Sequence, residues 1–484
     1  MHNSRHIRHL QPPAITHILK EPTFWLLVLV GILYFYRPLF LDQTFFFRDL
    51  SYDFVPQKHL FAELVQSGEV PLWDPYRHGG QPYLADANNS ALYPTNLLYV
   101  ILPFFRAFTL NIVLHVICGL TSAYLFARVL GLCRSASVIV GLVYGFSGYM
   151  LSLINLHGRF LAMSLLPLLW TFWHLYLRDR RKFRYMVLTI IIGVLQVFAG
   201  APEINVISLV LLLGWALVYP YAQVTRLARL GLWIVLGMFI LGLASIQLLP
   251  TIEMSLQSAR GEGLDYGQFS QWSLYPARIL EMLFPGFFGY ADTIPYNVHY
   301  WGGDLGEKGY AYILNVYFGW IAIVFAIIGG ISTRVVPGLP VAVRRLLAGV
   351  FLLACLLALG QYFPLFRLVY HLPFITLFRY PVKFLSAGLF PFALLVGSTA
   401  HLYFAPSADR MPSRRLVGIL WCLALLLGLC TLSLYLSEEF VAWVQETVFG
   451  ESKGAIASDG LKSSCVHASA LWVVVTLLFS YRRL

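Results

Sequence analysis

Apolar runs of about 20 residues, long enough to cross a bilayer, recur along the whole of this chain. Twelve are expected, at 23–40, 108–130, 136–154, 160–177, 185–200, 203–219, 230–249, 310–331, 346–360, 383–404, 416–436 and 468–481. Nothing else in the sequence limits the fold so strongly. Backbone inside hydrocarbon must satisfy its own hydrogen bonds, so each run has to be a helix. The expected fold is an all-α polytopic membrane protein with about 12 transmembrane helices, forming one integral domain over residues 1–484. Composition agrees: 58% of residues are hydrophobic and only 12% are charged, where an ordinary soluble domain has about a quarter charged. So few charges cannot cover a globule of this size. A soluble enzyme, a disordered chain and a disulfide-rich secreted scaffold are excluded. The stretch Leu92–Phe105 is apolar but only 14 residues long and carries Pro94 and Pro103. It reads as an interfacial or re-entrant segment.

The first run follows Arg5, Arg8 and Lys20 and ends in Tyr36-Arg37-Pro38. It lacks the small residues of a cleavage site, so it is expected to remain as an anchor. Lys and Arg in short loops mark the cytoplasmic side. With 12 spans and both termini cytoplasmic, the inside segments hold 20 of the 34 basic residues. Among the 23 acids they hold only Glu21, Asp179 and Asp409. The net charge of +11 is therefore an orientation signal, and no nucleic-acid partner is expected. Cys118, Cys355, Cys422 and Cys430 fall in spans, Cys133 in a cytoplasmic turn, and Cys465 alone outside, so a structural disulfide is not expected. The chain has no metal-ligand spacing, P-loop or dinucleotide fingerprint. No nucleotide cofactor is expected.

Three outer loops are long: 41–107, 250–309 and 437–467. Loops of that length usually carry function. In the first, Phe54, Phe61, Leu64 and Val65 share a helical face and Gly68 is a natural stop, which predicts an amphipathic interfacial helix. Pro56 fits only its first turn, making Asp53 equally an N-cap or a site carboxylate. Asp49 lies just upstream, in no evident capping position. Further on, Arg77-His78-Gly79-Gly80 sets two potential cations on a flexible backbone, as a phosphate or sugar site requires. Trp73 and Tyr76 also suit an aromatic belt.

Two span ends on the same side carry charge. In Gly200-Ala201-Pro202-Glu203, Pro202 suits the first helical turn and Glu203 suits the positive helix end. In Arg379-Tyr380-Pro381-Val382-Lys383-Phe384, two cations four residues apart stand at a helix N-terminus and oppose its dipole. A lipid phosphate between them would remove that cost. The second long loop ends in Tyr296-Asn297-Val298-His299-Tyr300-Trp301-Gly302-Gly303-Asp304. It suits carbohydrate stacking or an ordinary membrane-surface loop equally.

At these motifs the sequence resembles the YfhO-like bacterial membrane proteins, within the GT-C glycosyltransferase superfamily. The resemblance rests on Asp49, then Gly68 with Pro71-Leu72-Trp73-Asp74-Pro75-Tyr76 and Gly79-Gly80-Gln81-Pro82, then Tyr93-Pro94. It continues in Gly200-Ala201-Pro202-Glu203 and Arg379-Tyr380-Pro381-Val382-Lys383-Phe384. It covers most of the chain, in order. It implies an enzyme of the bacterial plasma membrane with its site facing outside. Such an enzyme moves a sugar from a polyprenyl-phosphate carrier to a glycan, lipid or protein acceptor. GT-C enzymes have a carboxylate in the first outer loop, and Asp49 occupies that place. The adjacent acidic pair is missing, with Asp53 four residues on, which leaves open which carboxylate acts and whether a divalent cation takes part. Family members are often longer, so a further C-terminal outer domain is expected to be absent. Asp49 or Asp53 would be catalytic. Arg379 and Lys383 would bind the lipid phosphate, assisted by Arg77 and His78, with Glu203 and His299 as further binding candidates. A multi-span transporter or lipid flippase is the main alternative. Against it, acids are scarce at mid-span and no repeat is evident. An outer-face polysaccharide polymerase or ligase is the second.

Overall fold

A computed structural model describes residues 13–258, 261, 263–289, 311–372, 375 and 379–405, with isolated positions beyond. Among these residues, six helices are long and apolar enough to cross a membrane, and four shorter apolar helices accompany them. The fold is that of an all-α membrane protein. These helices coincide with the first ten expected runs: α1 (Pro22–Tyr34), α3 (Phe104–Val129), α4 (Arg134–Gly145, whose span continues through short helices at Gly148–Ser152 and Leu153–Asn155), α5 (His157–Arg178), α6 (Arg184–Phe198), α7 (Pro202–Val218), α8 (Arg226–Leu243), α9 (Trp320–Ile331), α10 (Val341–Ala358) and α11 (Leu385–Phe404), with α2 (Val55–Gln66) in the first loop. The runs at 416–436 and 468–481, the 437–467 loop and both termini lie almost entirely outside the described residues.

Two boundaries differ from expectation. The first run breaks after Tyr34 and resumes as a short helix over Tyr36–Phe40, because Pro38 has no N–H to continue the ladder. The run expected to begin at 310 is not helical until Trp320. There the Asn315 side chain accepts from the Tyr317 amide at 2.7 Å, a local turn that competes with helix. The Phe318 amide donates back to the Met282 carbonyl at 3.1 Å.

Helices α3, α5 and α11 are the most buried. They meet, with Trp215 of α7, at a core of Phe126, Trp170 and Phe390, whose rings pack edge-to-face and tilted. α8 and α10 expose most of their apolar side chains and form the periphery. At the end of α5 opposite the first loop, Glu21 pairs with Arg128 at 2.7 Å and ties α1 to α3.

The first loop folds onto the bundle. Its helix already runs from Arg48, passes through a wide π-turn at Leu50–Phe54 and continues as α2. Pro56 lies in the first turn of α2, and Gly68 follows its end with φ +82°. Asp53 is therefore not an N-cap, which corrects that expectation: the helix has begun five residues before it. The expected apolar face turns inward, with Phe61, Leu64 and Val65 against Tyr83 and Ala91. Beyond it, β1 (Trp73–Asp74) and β2 (Gln81–Pro82) pair as a minimal hairpin. Gly80 has φ +112°, and any Cβ there would strike the Trp73 ring at 2.7 Å. Gly200, with φ +85°, admits the Ala87 carbonyl to within 2.0 Å of where a Cβ would stand. These two glycines let the loop close on itself and on the α6–α7 turn.

Candidate functional site

Three span ends meet beneath the first loop. Arg159 lies in the first turn of α5, Glu203 in the first turn of α7, and Lys383 in the 3₁₀ turn that opens α11. Arg159 Nε donates to Glu203 Oε1 at 2.5 Å, and Lys383 Nζ lies 3.1 Å from the same oxygen. Cations at helix N-termini oppose the macrodipole and a carboxylate there favours it, so Glu203 offsets both. The chain therefore supplies one anion to these two cations, leaving one positive charge in surplus. This corrects the expectation that Arg379 and Lys383 share one helical face. Arg379 precedes the helix, and the intervening Tyr380 has φ +76°.

Aromatic rings line this cluster. Arg159 and Lys383 both lie over the Tyr312 ring, at 5.9 and 5.6 Å. Lys383 and Arg379 both lie over Tyr380, at 5.0 and 5.2 Å. Trp272, Tyr312 and Tyr380 pack with centroids 4.4–5.3 Å apart. Trp272, like Tyr380, has a left-handed backbone, with φ +53°. Such strain in bulky residues persists only where surrounding structure holds it, and it gathers at functional sites. Tyr149 anchors the base of the α11 turn through a 2.7 Å hydrogen bond to Ser386.

Asp49 comes to this cluster from above. Its neighbour Arg48 is buried and donates to the Ala311 carbonyl at 2.7 Å. That bond docks the loop against the segment bearing Tyr312. Asp49 is half-buried, caps nothing, and makes no hydrogen bond or ion pair among the described residues. Burial pushes its carboxyl above the ordinary carboxylate value, while Arg48 and then Arg159 pull it back. A partly desolvated carboxylate held near cations but bonded to none suits a proton acceptor.

Asp53 has a different environment. Its carboxylate accepts a short charged contact from Arg77 and a 3.1 Å hydrogen bond from Gln57. Arg77 also faces Asp86 at 3.6 Å. Burial pushes Asp53 up, Arg77 pulls it down, and Asp86 and Asp49 push it up again. Asp53 and Arg77 thus brace the loop. His78 is exposed, with φ +51° and no hydrogen bond or ion pair among the described residues. His299 lies outside the described residues.

A narrow cavity of about 80 Å³ opens beside the charged cluster. Glu203, Arg379 and Lys383 line its polar side, and Val206, Ile207 and Phe384 its apolar side. Arg379 makes no ion pair among the described residues and lies over the Tyr380 ring. Among the described residues, no group of three or more His, Cys, Asp or Glu side chains converges to hold a metal ion. Asp53 and Asp86 converge instead on Arg77, whose guanidinium stands where a cation between these two acids would be.

Sequence reasoning missed Arg159 and Tyr312. The signal for Arg159 was present: a lone base at the same span-end level as Glu203, with no acid in its own short segment. Also missed was Lys58, fully buried in the first loop and bonded to the Asn89 carbonyl at 2.7 Å. No protein-family model, curated protein or solved structure matches this chain.

Proposed function

We propose that this chain is a membrane glycosyltransferase of the GT-C type, similar to the YfhO-like proteins. It would move a sugar from a polyprenyl-phosphate carrier to an acceptor hydroxyl on the outer face of the bacterial plasma membrane. The observation that carries the reading is Asp49: a half-buried carboxylate that makes no hydrogen bond or ion pair among the described residues and lies within the electrostatic reach of Arg48 and Arg159. In the reaction, the bond between the sugar's anomeric carbon and the phosphate oxygen breaks. A bond to the acceptor oxygen forms, and Asp49 takes the acceptor's proton. The departing polyprenyl phosphate carries the negative charge. Arg379, which has no carboxylate partner among the described residues, receives it with help from Lys383. The apolar wall of Val206, Ile207 and Phe384 suits the first isoprene units. The leaving group carries its own activation, so no nucleotide is consumed. Asp53 and Arg77 hold the loop that presents Asp49.

The test is the purified protein in liposomes with a synthetic polyprenyl-phosphate sugar and a hydroxyl acceptor, following released polyprenyl phosphate by mass spectrometry. Asp49→Asn is expected to lower turnover by about 10²–10⁴-fold, the usual worth of a positioned base, while the protein still inserts and folds. Undiminished turnover in D49N would remove Asp49 from the chemistry. Solute movement without phosphate release would replace the enzyme reading with a transporter or flippase.

A further inference from the structure

Helix α5 carries Arg159 at one end and Arg178 at the other, roughly 28 Å apart at 1.5 Å per residue. That is about the thickness of the hydrocarbon core. The Arg178 end borders a second cavity, of about 740 Å³, at the opposite boundary from the Asp49 site. Its polar wall is formed by Arg178, Arg181, Lys182 and Arg184. Its apolar wall is formed by Ile15, Val129 and Leu175. The one acid there, Asp179, is committed: it lies 3.3 Å from Lys182 and accepts the Arg181 amide at 3.3 Å. Arg184 stacks on Tyr185 at 5.0 Å. Arg178 and Arg181 have no side-chain ion pair among the described residues. The preceding segment, residues 1–12, contains Arg5 and Arg8 and no acid.

A general excess of cations on one side explains how many bases the α5–α6 turn holds. It does not explain why they converge on one cavity between helix ends, where like charges repel. Guanidinium groups around a concave site are a recognition device for phosphate, and basic pockets between transmembrane helices suit lipid headgroups. We propose that the Arg178–Arg184 cavity binds the phosphate diester of an acidic phospholipid in the leaflet opposite the Asp49 site. The acyl chains would lie along Ile15, Val129 and Leu175. This site is independent of the glycosyl-transfer reading.

The test measures lipids retained by the full-length protein after extraction from nanodiscs of equal phosphatidylglycerol and phosphatidylcholine. The wild type is expected to retain phosphatidylglycerol in several-fold excess. Arg178→Gln with Arg181→Gln is expected to abolish that excess. Arg334→Gln with Arg345→Gln, an equal charge change at exposed bases elsewhere, is expected to leave it intact. Equal loss in both double variants, or no preference in the wild type, would overturn the site. Saturable binding of inorganic phosphate with no phosphatidylglycerol excess would assign the cavity to the free ion and overturn the lipid assignment.

Discussion

Two charge triads flank Asp49, and they are mirror images. In the first loop, one base, Arg77, stands between two acids, Asp53 and Asp86. Among the span ends, one acid, Glu203, stands between two bases, Arg159 and Lys383. The first leaves a surplus negative charge and the second a surplus positive one, to which Arg379 adds. The first is one-third exposed at Arg77 and Asp53, while the second is nearly dry. On the proposed function, the difference separates a brace from a binding floor. Partly solvated ion pairs contribute little net energy and serve mainly to fix geometry. A buried triad with an unbalanced charge costs desolvation energy, and an incoming anion would relieve that cost.

The comparison breaks most readily at Glu203. Glu203→Gln leaves Arg159 and Lys383 buried against each other, and removing one partner of a buried pair costs about 3–5 kcal/mol. Thermal unfolding in detergent is expected to shift down accordingly. An unchanged midpoint would show that the two cations do not depend on that carboxylate. Next in size is Arg379→Ala, which removes the cavity's cation that makes no ion pair among the described residues. A charge-assisted contact is worth about 1.5–3 kcal/mol, so kcat/KM for the lipid-linked donor is expected to fall about 10–100-fold with no loss of stability. Equal kinetics in R379A would take the phosphate away from this residue. Arg77→Met tests the brace. With these groups partly in solvent the loss is about 1 kcal/mol, and adding Asp86→Asn is expected to recover part of it. A loss as large as that of E203Q would make the two triads equivalent.

Much of this frame was legible in the sequence because bilayer physics leaves little choice: apolar length alone placed the first ten helices. The segment 311–319 was misread because its residues are apolar enough for a span, while Asn315 turns the backbone locally. At the site, Glu203 and Lys383 were visible as charges at helix N-termini. Their pairing was not, because 180 residues separate them and only the packing of α7 against α11 joins them. Arg77 looked like a ligand cation for the same reason: its partners Asp53 and Asp86 become neighbours only when the hairpin folds over the π-turn. That Asp49 makes no hydrogen bond or ion pair among the described residues is likewise a three-dimensional fact.

The smallest expected effect is the most specific to Asp49, because Arg159 serves both Glu203 and this carboxylate. A general base works only when deprotonated, so transfer is expected to fail as the pH drops through the Asp49 pKa. Burial holds that pKa above the ordinary carboxylate value, and Arg48 and Arg159 moderate the rise. Neutralising either cation removes a force that favours the charged form, so the acid limb of kcat/KM should move to higher pH. Arg48 exerts the larger pull, so Arg48→Gln should move the limb farther than Arg159→Gln. A purely structural role for these arginines would lower activity at every pH and leave the limb in place. A limb that moved in R159Q and not in R48Q would mean that the proton acceptor sits among the span ends, on Glu203, and not in the first loop.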